Sequence, residues 1–196
     1  MPIRDQLLAL QWAQLKHDEA YHKDVVILPL AQRIKHMALH NAKYTAYFLE
    51  AVETGDEPRL TKTLVDAFII ALASANTLNQ DLGKALDETA ANSFAEVAAN
   101  LAESLPRPQE DPLWLVRQFA RHNGQLAKIC ESWDHLEPVP FHEGMRACNL
   151  ALIKVILAEA GARAIDIEAA YKSRIRIVEA RSIFDDRFRE GAGGEA

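Results

Sequence analysis

The stretch Thr61-Lys-Thr-Leu-Val-Asp66-Ala-Phe-Ile-Ile-Ala-Leu-Ala-Ser-Ala-Asn76-Thr-Leu-Asn-Gln-Asp81-Leu82 decides the fold. Leu64, Val65, Phe68, Ile69, Ile70 and Leu72 cover more than one face of the helix it predicts. A helix that is apolar nearly all round belongs inside a bundle rather than on its surface. One carboxylate, Asp66, lies within the run. In apolar surroundings a carboxylate is costly unless it is paired, hydrogen-bonded or bound to a metal. Asp66 is therefore the first candidate for function.

Upstream, Leu30, Ile34, Met37, Tyr44 and Phe48 recur at helical spacing, and Pro29 suits a first turn, so a helix is expected to about Val52. Thr54-Gly-Asp-Glu-Pro58 breaks it, and Thr61 is the expected cap of the central helix. His36, His40, Lys43 and Tyr47 make a second row on the upstream helix, rotated roughly 100° from the apolar stripe at about 3.6 residues per turn. A first helix over residues 4 to 20, capped by Asp5, sets Leu8, Trp12 and Leu15 on one face. It ends in the polar run His17-Asp-Glu-Ala-Tyr-His22. Some metal phosphohydrolases use a His-Asp dipeptide, but no further ligands at suitable spacing are evident, and a helix-end polar cluster is the plainer reading.

Downstream, a helix over 87 to 104, capped by Asp81 or Asp87, turns Ala90, Phe94, Val97 and Leu101 inward. Leu105-Pro-Arg-Pro-Gln-Glu-Asp-Pro112 is the clearest linker. Asp111-Pro112 opens a helix over 112 to 135 carrying Leu115, Phe119, Leu126, Ile129 and Trp133. The next helix, 142 to 160, is expected to stop at Gly161. Asp166 then caps a last helix to about 189, and residues 191 to 196 should fray. No period-two pattern appears, so the chain is expected to be an all-α bundle of about seven helices. It divides into an N-terminal half (1–104), a proline-rich linker (105–112), a C-terminal half (113–190) and a tail (191–196).

The two halves look alike in places. His40-Asn41 and His122-Asn123 are 82 residues apart, and the runs Leu72 to Leu82 and Leu157 to Ile167 are 85 apart. A duplication would put Ala151 where Asp66 stands and leave the second half as a structural partner.

Composition narrows the classes. Of 196 residues, 49% are hydrophobic and 26% charged, which suits a globular domain with a sizeable core rather than a disordered chain. The net charge of −6 argues against nonspecific nucleic-acid binding. No apolar run is long enough to span a membrane. Cys130 and Cys148 lack a metal-ligand spacing and read as reduced thiols. With no signal-peptide pattern at the start, a cytoplasmic protein is expected.

If the two helices flanking residues 53–60 pack antiparallel, His36, His40 and Lys43 face Asp66, with Thr63 one turn earlier on the same side. Two histidines at i, i+4 can share a metal that a carboxylate from the next helix completes, and a nearby lysine can hold a phosphate oxygen. The plainer readings are two solvated histidines, a Lys62–Asp66 ion pair, or Asp66 bonded to Tyr44 or Tyr47. Arg174, Arg176, Arg181, Arg187 and Arg189 interleave with Glu179, Asp185, Asp186 and Glu190 and read as a salt-bridged face. An anion pocket on Arg174 and Arg181 is the alternative.

Residues 29 to 86 resemble the MazG-like all-α nucleotide pyrophosphohydrolases: a long helix, a short turn, then Leu64-Val-Asp66-Ala-Phe-Ile-Ile-Ala-Leu-Ala-Ser-Ala, followed by Asp81-Leu82. Asp166-Ile-Glu-Ala-Ala-Tyr-Lys-Ser-Arg174 is similar to the closing helix of that family. The resemblance implies a helical core, usually paired into a dimer. In it, Glu-x-x-Glu on one helix and Glu-x-x-Asp on the next hold magnesium against a triphosphate. Asp66 matches the aspartate of the second motif. Thr63 stands at its glutamate, and His36, His40 and Lys43 occupy the region of the first motif. The expectation is a nucleotide or other phosphorylated small molecule contacted by Lys43, Tyr47 and Arg174. A divalent metal (Mg or Mn) would sit on Asp66, His36 and His40, with Asp66 catalytic in phosphoanhydride hydrolysis. The alternative is a catalytically inactive binding or assembly subunit. A homodimer, or membership of a larger complex, is expected, with no nucleic acid or membrane as partner.

Overall fold

The central helix begins one turn before Thr61. In the computed structural model, which describes residues 3–86, 91, 93–105 and 111–192, the Asp56 side chain accepts a hydrogen bond from the Arg59 N–H at 2.9 Å. Pro58 follows in the first turn, where a missing N–H costs nothing. In chain order the helices are α1 (Ile3–Tyr21), α2 (Lys23–Val26), α3 (Leu30–Thr54), α4 (Glu57–Thr77), α5 (Leu82–Leu86), α6 (Phe94–Ser104), α7 (Trp114–Asp134), α8 (Phe141–Ala162), α9 (Ile167–Glu179) and α10 (Asp185–Ala192). No strand occurs among the described residues. The protein is an all-α bundle.

Four helices form its centre. α3 and α4 make a helical hairpin, α7 and α8 make another, and α3 packs on α7 while α4 packs on α8. α1 and α9 cover further sides of α4, α6 covers α8, and α5 lies on α1. Aromatic edges lock these layers. Phe48 and Phe119 join α3 to α7 with centroids 5.2 Å apart. Phe68 of α4 stands 6.0 Å from both Phe94 of α6 and Tyr171 of α9.

The likeness of the halves extends to their turns. α4 and α8 end alike: Gln80 N–H donates to Ala75 C=O and Ile165 N–H to Ala160 C=O, both at 2.8 Å. Asn79 and Ala164 both take the left-handed conformation, with φ of 48° and 53°. Asp81 and Asp166 then cap α5 and α9 by accepting from Lys84 N–H and Ala169 N–H. All these positions are 85 residues apart. Across the α3–α7 contact, Asn123 Nδ2 donates to Ala38 C=O at 3.2 Å.

The matched pair Asn76 and Gly161 shows a difference between the halves in how the inner helix meets its neighbour. Asn76 of α4 exchanges hydrogen bonds with Gln11 of α1, donating to its C=O at 2.8 Å and accepting from its Nε2 at 3.2 Å. The equivalent residue of α8 is Gly161, where a Cβ would lie 2.4 Å from the Ala98 oxygen of α6. Gly161 is thus not the stop that its residue type suggested: α8 continues to Ala162, and Gly161 admits the α6 backbone.

Other expectations are corrected. α1 turns Ile3, Leu7 and Leu10 inward, while Leu8 and Trp12 are about half exposed. α2 and α5 are additional short helices, α7 starts at Trp114, and the last expected helix is broken into α9 and α10. α10 reaches Ala192, within the expected tail. Asp87, Ala90, most of the proline-rich linker and residues 193–196 lie outside the described residues.

Gly161→Ala is expected to cost about 1–3 kcal/mol through overpacking, lowering Tm by roughly 3–10 °C. Gly124→Ala, on α7 with nothing within 4 Å of the new Cβ, should instead gain up to about 1 kcal/mol from helix propensity. Thermal unfolding of the two variants checks both signs.

Candidate functional site: a mixed cationic and apolar cavity

The α3–α4 hairpin sets the polar row of α3 across from Asp66. The turn at Ala164 and the Asp166 cap fold α9 back on α4. These helices, with the end of α1 and with α2, enclose a cavity of about 460 Å³. His36, His40, Lys43, Tyr47, Asp66 and Arg174, all singled out in the sequence, lie on its wall. Arg181 does not.

Asp66 is held by a fork. Arg174 Nε donates to Oδ1 at 2.6 Å and Nη2 to Oδ2 at 3.1 Å, while Lys62 Nζ lies 3.3 Å from Oδ2. The paired side chains are only 17% and 15% exposed. Such bidentate pairing offsets the cost of desolvating both charges. It also raises the Arg174 pKa further, chiefly through the hydrogen bond to Asp66. Thr63 is buried, and its hydroxyl donates to Arg59 C=O at 2.8 Å, one turn back on its own helix.

The histidine row is bonded internally. Lys43 Nζ lies 3.3 Å from His40 Nδ1, and an ammonium can only donate. That assigns the His40 proton to Nε2, which lies 3.1 Å from His36 Nε2 and donates to it. Burial, then Lys43 and His36, lower the His40 pKa to about 4, so the ring is neutral at pH 7. Tyr47 lies under the Arg59 guanidinium, 5.0 Å from ring centroid to Cζ.

Magnesium takes oxygen ligands in octahedral array. Both Asp66 oxygens face Arg174 and Lys62, and His36 Nε2 accepts from His40. This donor set does not fit magnesium.

The far end of the cavity was nearly invisible in the sequence. His17, Asp18 and His22 meet there, where α1 gives way to α2. His17 is 5% exposed, with Nδ1 3.2 Å from Glu179 Oε1 of α9. Asp18 accepts from Gln14 Nε2 at 2.8 Å, and burial pushes its carboxyl up to about 6. Arg33 donates to Val26 C=O and to Leu28 C=O, fastening the α2–α3 connection. The His-Asp dipeptide was the available signal, but Glu179 lies 162 residues away in the chain. On α9 and α10 the expected salt-bridged face is present: Arg176 pairs with Glu179 and Asp185, Arg187 with Glu190, and Arg189 with Asp185.

Comparison with known proteins finds no matching family model, curated protein or solved structure. The all-helical fold is compatible with a MazG-like one. No helix among the described residues is long and apolar enough to cross a membrane.

Asp66→Asn should leave Arg174 half-buried without its countercharge and cost roughly 1.5–3 kcal/mol. Removing Arg174 in addition should cost little more; fully additive losses in a double-mutant cycle would mean the fork does not form. His40 has a folded pKa below its unfolded value. Its contribution to stability is therefore present above about pH 6.5 and lost as pH falls through about 4. His40→Gln should flatten that part of the Tm–pH profile.

Proposed function

We propose that this chain is a MazG-like helical protein that binds a nucleotide or another phosphorylated small molecule in the α1–α2–α3–α4–α9 cavity. One observation carries the reading. Four cations on the wall (Arg33, Lys43, Lys62 and Arg174) stand against two carboxylates (Asp18 and Asp66), beside an apolar side that includes Ile69, Ile70, Ile175 and Val178. Asp66 already occupies Arg174 and Lys62. Lys43 meets His40 Nδ1 and the Tyr44 ring but no carboxylate among the described residues, so its charge can be countered by a ligand. An ammonium beside a neutral imidazole suits a phosphate oxygen, and the aliphatic wall with Tyr44 suits a base or similar flat body. A volume near 460 Å³ is within the roughly 300–1,000 Å³ common for small-molecule sites. The proposed role is binding. Hydrolysis through magnesium on Asp66 is not part of it, since that carboxylate is committed to Arg174 and Lys62.

The alternative, an assembly module, is favoured by one feature. Leu8 and Trp12 are 50% and 57% exposed on α1, where a single helix face offers apolar surface to a second copy.

Thermal shift with nucleoside mono-, di- and triphosphates, in chelator, tests the first reading. A ligand at 100 times its Kd adds about 2.7 kcal/mol, or roughly 5–10 °C in Tm. Lys43→Met should remove the shift while changing the ligand-free Tm only slightly, since it loses one partly exposed contact to His40. No shift with any ligand rejects the binding reading. A Trp12→Ser variant that then changes the sedimentation coefficient would favour assembly.

A further inference from the structure

At the α1 end of the cavity, three side chains able to ligate a metal converge: two imidazoles and one carboxylate. One nitrogen each from His17 and His22 and one oxygen from Asp18 lie within 4.8 Å of one another. We infer that His17, Asp18 and His22 form a binding site for a first-row divalent transition metal such as zinc or cobalt. The inference stands apart from the anion reading, because its ligands sit at the α1 end of the cavity, away from Lys43, and hold a cation.

Three features support it. The His17 Nδ1 faces Glu179 Oε1 at 3.2 Å, which places the ring proton on Nδ1 and leaves the lone pair on Nε2. A carboxylate behind the distal nitrogen is the usual outer support of a metal-binding histidine, orienting the ring and raising its basicity. His22 occupies the position before α2, yet its side chain makes no capping hydrogen bond. It stands edge-on to His17, with centroids 5.2 Å apart. Asp18 has one oxygen bonded to Gln14 and no salt bridge among the described residues, so a cation would relieve the burial of its charge.

The surroundings are compatible with one cation. Arg33 acts on Asp18 through space but donates its hydrogen bonds to the Val26 and Leu28 carbonyls. Glu179 and Asp185 supply negative charge from α9 and α10, partly met by Arg176. Two imidazoles and one carboxylate suit zinc, iron or cobalt better than magnesium or calcium, which take oxygen. Three protein ligands also leave coordination positions open, and all three residues line the cavity.

The test uses the full chain stripped with chelator and titrated with Zn²⁺ or Co²⁺ alone. One equivalent should bind, and bound Co²⁺ should give visible d–d absorption. His22→Gln, at a partly exposed position, should abolish saturable binding, as should Asp18→Asn. Glu179→Gln should weaken binding by roughly 10–100-fold without touching the metal. His36→Gln should leave it unchanged. Absence of saturable binding by the native chain overturns the inference. So does binding that survives both His22→Gln and Asp18→Asn, or that is lost in His36→Gln. Nucleotide is absent throughout, so the outcome is independent of the anion site.

Discussion

A helix with apolar side chains on nearly every side has no face to give to water. α4 is such a helix, and the packing of this protein follows from covering it: α3 and α8 from within the four-helix centre, α1 and α9 from outside it. Leu60, Leu64, Ala67, Phe68 and Leu72 are all essentially inaccessible. The single acid in the buried part of α4 then requires a partner brought by a neighbour. Arg174 arrives on α9 and meets it as a fork, so the docking of α9 combines apolar contact through Tyr171 and Ile175 with one directional ion pair.

The two halves solve the same problem with different chemistry. Both long inner helices end in a left-handed residue followed by an aspartate cap. At the matched position, Asn76 ties α4 to α1 by side-chain hydrogen bonds, whereas Gly161 lets the α6 backbone press directly on α8. The network from Gln11 and Asn76 runs on through Gln80 to Asn149, whose Nδ2 donates to Gln80 Oε1 at 3.0 Å. It cross-links the halves at the end of α4. The cavity lies in the first half, with α9 as the contribution of the second. Ala151 stands where Asp66 would be, so the second half offers no matching carboxylate there.

The cavity is divided by protonation chemistry. At the α3 end, partial burial and then the neighbouring Lys43 keep His40 neutral, and the two imidazoles bond to each other. At the α1 end, a carboxylate from α9 orients His17 beside an aspartate that has no salt bridge among the described residues. The same residue type thus has two characters. Its partner decides whether a ring nitrogen is used within the protein or left for a ligand.

The all-α class, the α3–α4 hairpin and the row of His36, His40, Lys43 and Tyr47 on one helix were legible in the sequence, because helical periodicity and caps are local and repeat every few residues. The inward face of α1 was not: Leu7 and Leu8 are adjacent and equally apolar, and only the placement of α4 decides between them. Neither was the state of Asp66, whose partner is 108 residues away, nor the link from His17 to Glu179. The sequence by itself determined where the long helices lie, though not α2, α5 or the break between α9 and α10, and that one of them must be surrounded. Tertiary structure decided whether Asp66 is an ion pair or a ligand, and which histidines keep a free nitrogen. Those outcomes depend on distances between helices, and no local pattern encodes them.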